Sequence, residues 1–405
     1  MPLSLDDIQK AREHLSGVAR HTPVMPSGTL AARCGADVWL KLENRQKTGS
    51  FKLRGAFNKI CSLTDAERAR GVCTASAGNH AQGVAYGATA RGTRSVVVMP
   101  ETAPQAKVQA TRGYGAEVIQ HGEVYDDCVA KALEIAAETG ASFVHPFDDE
   151  AVMAGQGTLA LEILEDLPET GTLLVPVGGG GLISGVAVAA RALRPDIRII
   201  GVQAAVVASS RVSLEKREIV TLPGVKSLAD GISVATPGKR TFPVMESLVD
   251  DIVTVTEEEI ALGIFTLMER NKIVAEGAGA VGAAAILAGK VLSRRPLAVL
   301  ISGGNIDIAM VAKIIERELI VVGRRISFTV EIPDRVGRLG ALINHIVSLG
   351  GNIVKTRQDR NWVERGLDYV SVNFELEAQT PEHAHRIQEE LRKAGYELRP
   401  EFHRE

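Results

Sequence analysis

The chain has few aromatic residues, no paired cysteines and no long apolar run. Aromatic side chains make up 4% of its 405 residues, and no two of the four cysteines form a C-x-x-C pair. This spacing argues against a disulfide framework and a zinc site, so we expect the cysteines to be small buried side chains. No segment approaches the roughly 18 consecutive apolar residues that a membrane-spanning helix needs, so we expect no membrane partner.

The chain also lacks a strong net charge. Its 46 lysines and arginines are set against 49 aspartates and glutamates, which gives a net charge of −3 and argues against nucleic acid as a partner. The first 20 residues have the pattern of a charged amphipathic helix without the apolar core of a signal peptide. We therefore expect a cytoplasmic protein of two or three domains.

Short runs rich in β-branched residues alternate with alanine-rich stretches over the first 320 residues. Several runs are apolar throughout, which is typical of parallel strands that are covered on both faces. The alternation of strand and helix predicts βαβ units and open α/β sheets. The predicted strands are residues 37–42, 71–76, 94–100, 116–120, 142–146, 172–177, 197–203 and 296–302.

The pattern changes after Ile320. Alternation of apolar and polar residues predicts strands at 325–333, 352–359 and 368–378, and amphipathic patterns predict helices at 335–351 and 380–396. With 397–402 as a last strand, the order β-α-β-β-α-β is ferredoxin-like. We expect a separate domain at 325–405, after a hinge near residues 322–324.

Glycine-rich turns follow predicted strands and lead into helices at residues 48–52, 76–83, 177–185 and 301–305. Ligands of open α/β sheets bind at the carboxyl ends of strands, so the four turns predict one shared site. The run Gly178–Gly181 has the form of an anion cradle, because its backbone can approach a phosphate closely. The dinucleotide pattern G-x-G-x-x-G fails, since its third glycine would fall on Ile183 or Ser184; a monophosphate fits better.

Lys52 lies in the first turn of a predicted helix, where a positive charge is unfavourable. The helix start favours the neutral amine, which is the form that makes an imine with an aldehyde. A lysine beside a phosphate site therefore indicates Schiff-base chemistry with a phosphorylated aldehyde. The alternative is an exposed lysine whose ammonium reaches solvent.

Four motifs together resemble a known family. G-S-F-K-x-R-G-A at 49–56, S-A-G-N-H-A-Q-G at 76–83, G-G-G-G-L at 178–182 and S-G-G-N at 302–305 are similar to those of fold-type II pyridoxal-phosphate enzymes, specifically the threonine/serine dehydratases (ammonia-lyases). The resemblance implies two open, mostly parallel sheets in a catalytic domain at residues 1–322, with a small subdomain at about 50–150 inserted in a larger one. The segment 325–405 resembles an ACT regulatory domain.

The resemblance also implies roles for individual residues. Lys52 would form the imine with the cofactor, and Phe51 would lie against its ring. Asn79 would hydrogen-bond the phenolic oxygen, and Ser302 the pyridine nitrogen. Two backbone sets complete the expected site: the phosphate would be held by Gly178, Gly179, Gly180, Gly181 and Leu182, and the substrate carboxylate by Ser76, Gly78, Asn79 and His80.

Ser302 also bears on the expected reaction. A serine hydroxyl holds a neutral ring nitrogen, which disfavours a long-lived carbanion and suits β-elimination better than transamination. The resemblance thus implies dehydration and deamination of L-threonine to 2-oxobutanoate, or of L-serine to pyruvate. Serine racemases resemble this chain but carry a second serine where Ala77 stands, and a methyl group cannot carry a proton.

Several alternatives stay open from sequence. Racemisation and 3-hydroxyaspartate dehydration use the same scaffold, and a non-catalytic amino-acid sensor is the alternative from another class. Glu276 matches a family glutamate near ring and substrate, although an acid that favours the helix dipole explains it equally well. Asp230 alone gives little support for a divalent ion, and we expect no required metal, while a monovalent cation stays open. Isoleucine or valine is the expected effector of the ACT segment, and a homodimer or homotetramer the expected assembly.

Overall fold

The computed structural model describes residues 3–360 and 366–400. It divides the chain into two units, Met1–Asp307 and Ile308–Glu405, called here the N-terminal and C-terminal units. The predicted division, at residues 322–325, lies at the far end of the helix Ile308–Val321, which groups with the C-terminal unit.

The described part of the N-terminal unit contains ten strands. They are β1 (Val24–Pro26), β2 (Val38–Leu42), β3 (Val72–Ala75), β4 (Ser95–Met99), β5 (Glu117–Gln120), β6 (Ser142–Phe143), β7 (Thr172–Pro176), β8 (Arg198–Ala204), β9 (Asp251–Val255) and β10 (Leu297–Ile301). The prediction of open, mostly parallel sheets is confirmed. One sheet has the order β1-β2-β10-β7-β8-β9, with only β1 antiparallel to its neighbour, and the other is the parallel sheet β5-β4-β3-β6.

Helices cover both sheets. They are α1 (Leu5–Leu15), α2 (Gly28–Cys34), α3 (Lys52–Ser62), α4 (Asp65–Arg70), α5 (Asn79–Ala90), α6 (Gln105–Gly113), α7 (Tyr125–Thr139), α8 (Glu150–Asp166), α9 (Gly181–Leu193), α10 (Ser209–Lys216), α11 (Thr241–Leu248), α12 (Glu257–Asn271) and α13 (Gly277–Leu287). Central strands such as β7 and β10 are buried along their whole length, as their continuous apolar sequences require. No helix in the described part has both the length and the apolar composition to cross a membrane.

A buried cluster of charges holds α3 in the N-terminal unit. The Arg54 guanidinium donates to Glu43 at 2.9 Å and to Glu162 at 2.6 Å, and Lys41 pairs with Glu162 at 2.8 Å. The carboxylates hold the pKa of Arg54 above its ordinary value against the opposing effect of burial. Such a cluster tolerates little displacement, because a buried charge that loses its partner is strongly destabilising.

The C-terminal unit has a ferredoxin-like fold. Its elements are α14 (Ile308–Val321), β11 (Arg325–Pro333), α15 (Arg338–Ser348), β12 (Asn352–Asp359), β13 (Tyr369–Glu377), α16 (Pro381–Lys393) and β14 (Leu398–Pro400). The antiparallel sheet has the order β12-β13-β11-β14, and alternate residues of β11 and β13 are buried. Residues 401 and 402 of the predicted last strand lie outside the described residues.

Candidate active site

A cavity of about 1000 Å³ in the N-terminal unit is lined by residues from all four glycine-rich turns. The turns follow β2, β3, β7 and β10, so the site lies where carboxyl ends of strands meet, as open sheets favour. The cavity brings together every residue that the sequence singled out for the site. These are Phe51, Lys52, Ser76, Gly78, Asn79, His80, Gly178, Gly179, Gly180, Gly181, Leu182, Glu276 and Ser302.

Lys52 is the first residue of α3, and its side chain lines the cavity. Nζ donates to the Pro146 carbonyl at 2.9 Å and lies 5.4 Å from the centre of the Phe51 ring. Burial lowers the pKa of Lys52 to about 8, although the Glu276 carboxylate acts in the opposite direction. The structure therefore favours a neutral amine more strongly than the helix position alone, because removing an ammonium from water is costly.

The glycine run forms a close-packed cradle at the start of α9. A Cβ at Gly179 would overlap the Phe147 ring, and Gly180 has a positive φ of 96° that favours glycine. The Gly179 carbonyl accepts hydrogen bonds from Thr241 Oγ1 at 2.6 Å and from the Gly238 amide at 3.1 Å. Among the described residues, no hydrogen-bond acceptor pairs with the amides of 178–182. These amides can therefore hold an anion.

The loop 76–79 leads into α5, whose N-terminus opens on the cavity. The Gly78 amide donates to Ser76 Oγ at 3.2 Å, which closes the turn. The His80 side chain is buried behind the loop, with Nε2 at 3.0 Å from the Val144 carbonyl. Burial, together with the nearby Lys52 charge, lowers the pKa of His80 to about 3, so its imidazole stays neutral. A carboxylate at this loop would meet backbone amides of a helix start.

Asn79 is the centre of a polar chain across the cavity. Its Nδ2 donates to Glu276 Oε1 at 2.7 Å, and its Oδ1 accepts from Asn305 Nδ2 at 2.7 Å. Glu276 precedes α13 but its side chain does not cap that helix. Burial raises the pKa of Glu276 to about 7, against the hydrogen bond from Asn79. Glu276 is therefore an acid that exchanges its proton near neutral pH.

Ser302 lies at the end of β10 and is buried at the base of the cavity. Its carbonyl accepts from the Phe51 amide at 3.0 Å, which ties the lysine turn to the end of this strand. A serine hydroxyl can donate or accept one hydrogen bond without bringing a charge. It therefore suits a neutral ring nitrogen.

The sequence did not identify the segment 145–149 as part of the site. The predicted strand 142–146 ends at Phe143, and the loop that follows lies beside the cavity through His145, Pro146 and Phe147. Two signals were available: Pro146 cannot donate to a strand ladder, and the carboxyl end of a parallel strand is where ligands bind. Asn305, within the predicted motif at 302–305, also contributes to the site.

Asp230 also lines the cavity, where its carboxylate pairs with Lys107 Nζ at 3.1 Å. In the described part of the chain, no group of three or more histidine, cysteine, aspartate or glutamate side chains is arranged to hold a metal ion. Asp230 thus has a cationic side chain as its neighbour.

The residues present fit pyridoxal phosphate. A lysine with a lowered pKa can bind the aldehyde, the backbone amides of 178–182 can bind the phosphate, and Ser302 can bind the ring nitrogen. The chain belongs to the family of pyridoxal-phosphate-dependent enzymes, whose model matches residues 15–303.

Relatives of this chain within the pyridoxal-phosphate-dependent family include enzymes named for one substrate, L-threonine. The L-threonine ammonia-lyase of Thermotoga maritima is 45% identical over 98% of this chain and 99% of its own length. The enzyme of the same name from Geobacter sulfurreducens is 46% identical over 96% of this chain and 97% of its own. The catabolic L-threonine dehydratase TdcB of Escherichia coli K12 is 47% identical over 78% of this chain and 96% of its own length.

Solved structures show the same architecture. The threonine deaminase of T.th. is 40% identical, with a TM-score of 0.72, and the match covers 75% of this chain and 99% of that one. Maize serine racemase is 36% identical, with a TM-score of 0.74, and the match covers 79% and 99%. The fold is therefore shared by lyases and racemases, and the site residues must distinguish them.

Proposed function

We propose that this protein is an L-threonine ammonia-lyase that produces 2-oxobutanoate and ammonia, and that it also converts L-serine to pyruvate. The observation that carries the proposal is Lys52, whose amine lies in the same cavity as the glycine cradle and has a pKa lowered to about 8. The near full-length similarity to two L-threonine ammonia-lyases supports the choice of substrate.

Bound pyridoxal phosphate would make the substrate α-proton acidic by withdrawing electrons. The amides of 178–182 would hold its phosphate, Asn79 its phenolic oxygen and Ser302 its ring nitrogen. Phe51 borders the space for the ring, because its side chain lines the cavity beside Lys52. The amides at the start of α5 would hold the substrate carboxylate, which fixes the α-carbon relative to Lys52.

Lys52 is the base in this proposal. With a pKa lowered to about 8, a larger fraction of the Lys52 amine is neutral at pH 7 than for an ordinary lysine. Nζ would take the α-proton. Glu276, with a pKa of about 7, exchanges protons in the same range and would hold or release a proton at Oε1 beside Asn79. The β-hydroxyl leaves with a proton, as elimination requires.

Ala77 favours elimination over racemisation. Its methyl group lines the cavity, next to Ser76 and Gly78. A racemase needs a second acid or base on the other face of the substrate carbon, and the Ala77 side chain cannot supply one. Racemisation of serine and dehydration of 3-hydroxyaspartate are the alternative activities on this scaffold.

We also propose that the C-terminal unit binds isoleucine or valine and that this binding regulates the enzyme. The protein would act in the cytoplasm as a homodimer or homotetramer. The ferredoxin-like fold of this unit fits an ACT domain, and its sheet ends in the edge strands β12 and β14. Edge strands offer unpaired backbone groups to a second copy.

One assay tests the proposed reaction. Release of 2-oxo acid is followed with L-threonine, L-serine and 3-hydroxyaspartate as substrates, and D-serine formation is measured separately. The proposal requires the highest kcat/KM with threonine. It is wrong if 3-hydroxyaspartate is preferred or if D-serine is the main product from L-serine.

A further inference from the structure

The segment 145–149 connects the lysine to the phosphate cradle. It begins with a turn in which His145 Nδ1 accepts from the amides of Phe147 at 3.2 Å and Asp148 at 2.8 Å. The Phe147 ring packs edge-on against His145, with 4.6 Å between ring centres. The turn therefore presents Pro146, Phe147 and Asp148 in fixed directions.

Each of these three residues contacts a different part of the site. The Pro146 carbonyl accepts from Lys52 Nζ, and the Phe147 ring occupies the space that a side chain at Gly179 would need. The Asp148 carboxylate accepts hydrogen bonds from the backbone amides of 239–241.

Asp148 caps the start of α11, which has no capping side chain of its own. Oδ1 accepts from the amides of Arg240 at 2.8 Å and Thr241 at 3.3 Å, and Oδ2 accepts from the amide of Lys239 at 3.1 Å. A carboxylate that accepts several amides at a helix start satisfies donors that the helix cannot pair itself. The carboxylate thus fixes the backbone at 239–241. Thr241 Oγ1 and the amide of the adjoining Gly238 both donate to the Gly179 carbonyl.

The peptide that joins Gly179 to Gly180 is planar and trans, so its N–H points away from its C=O. Two hydrogen bonds fix the Gly179 carbonyl, and they therefore fix the direction of the Gly180 amide. This is one of the amides available to a phosphate. Asp148 acts on that amide through α11 and Thr241.

We propose that Asp148 is a positioning residue for the cofactor phosphate, which sets the orientation of the glycine cradle without touching the cofactor. The inference depends on the pyridoxal phosphate site and not on threonine as substrate. Cofactor affinity tests it even if the substrate proposal fails.

The adjacent residue offers a matched control. Asp149 caps α8 through the Val152 amide at 3.0 Å and pairs with Lys59 at 2.7 Å, but no hydrogen bond links its carboxylate to residues 238–241 in the described part of the chain. Asp148→Ala and Asp149→Ala each remove one carboxylate from the segment 145–149. Only Asp148→Ala should alter the glycine cradle.

The experiment measures the dissociation constants of pyridoxal phosphate and of pyridoxal for the apoprotein by fluorescence titration. For Asp148→Ala we expect the pyridoxal phosphate Kd to rise about tenfold, which is about 1.4 kcal/mol, while the pyridoxal Kd changes less than twofold. Asp148→Asn should show an intermediate rise, because one oxygen remains to accept two amides. Asp149→Ala should lower the melting temperature and leave both Kd values within twofold of wild type.

Two results would overturn the proposal. One is an unchanged pyridoxal phosphate Kd in both Asp148 variants, and the other is an equal rise for pyridoxal and pyridoxal phosphate. If Asp148→Ala does not fold, Asp148→Asn decides between the same outcomes, since it retains the shape of the side chain.

Discussion

The Asn79 amide donates a hydrogen bond of 2.7 Å to the Glu276 carboxylate, although 197 positions separate the two residues. Asn79, the first residue of α5, supplies the amide, and Glu276, which precedes α13, supplies the carboxylate. This pair connects the predicted carboxylate loop to a buried acid with a raised pKa, and it provides a direct test of the electrostatics of the site.

Substitution of Glu276 should change how stability depends on pH. Its pKa is about 7 in the folded protein against 4.5 ordinarily, so the folded state binds the proton more tightly. The stabilisation is fully present below pH 4.5 and is lost as pH rises from 4.5 through 7, by about 3 kcal/mol in total. Glu276→Gln should not show this loss.

The measurement is urea unfolding of the apoprotein at pH 5 and pH 8. The exposed Glu13 supplies the control variant Glu13→Gln, which should follow the wild type. Identical pH dependence in wild type and Glu276→Gln would show that burial does not raise the pKa of this carboxyl group.

Lys52→Ala should abolish turnover and covalent attachment of the cofactor. Loss of the base and of the imine-forming amine should lower kcat by at least about 10³-fold. Lys59 lies on the same helix and pairs with Asp149, so Lys59→Ala is the matched control and should retain the visible absorbance of lysine-bound cofactor. Retention of that absorbance by Lys52→Ala would show that Lys52 is not the residue that binds the cofactor covalently.

Gly180→Ala should weaken cofactor binding. The added Cβ would lie 2.7 Å from Thr241 Oγ1, and the φ of 96° disfavours an alanine. We expect a loss of about 1–2 kcal/mol in stability and at least about a tenfold rise in the pyridoxal phosphate Kd. Gly28→Ala, where the added methyl meets no atom within 4 Å, should leave the Kd unchanged. An equal rise in the Kd for both substitutions would contradict the assignment of the glycine run as the phosphate site.

Ala77→Ser should introduce racemisation. A hydroxyl at this position of the cavity could carry the proton that the methyl group cannot. We expect D-serine to form from L-serine, measured by chiral chromatography, with less than about a tenfold loss of threonine turnover. Ala77→Val fills the space without a proton donor and should produce no D-serine. If both variants behave alike, residue 77 does not select the reaction.

Removal of residues 325–405 should abolish the response of the rate to isoleucine and valine. The catalytic segment should stay active, because TdcB matches only 78% of this chain over 96% of its own length. Initial rates are compared with and without each amino acid in the full chain and the shortened one. An unchanged response in the shortened chain would place the sensor elsewhere.

The central strands could be predicted from the sequence because they are apolar throughout. The strands β1 and β9 were missed, and both lie at the edges of the six-stranded sheet. An edge strand is less completely covered, so it retains polar residues such as Asp251 and Thr254 and loses the continuous apolar pattern. The helix α14 groups with the C-terminal unit, whereas the predicted boundary followed this helix, because composition does not report which unit a helix packs against.

The residues of the glycine-rich turns could be placed together from the sequence for a local reason: each turn is a short motif that follows a strand, and all four turns line one cavity. The segment 145–149 contains no such motif, and the proline and strand-end signals that it does carry do not identify its contacts. Pro146 contributes a backbone carbonyl, and Asp148 acts on amides more than 90 positions away. Contacts of this kind depend on the packed structure, so no spacing in the sequence records them.

The buried pairing of Arg54 has a consequence for the lysine two residues before it. If α3 slid along its axis or turned about it, the guanidinium would leave Glu43 and Glu162 in an environment that water does not reach. Such a loss costs about 3–5 kcal/mol. The helix therefore has one permitted register. The ion pairs of Arg54, a residue outside the cavity lining, thus set the position of the Lys52 amine in the cavity.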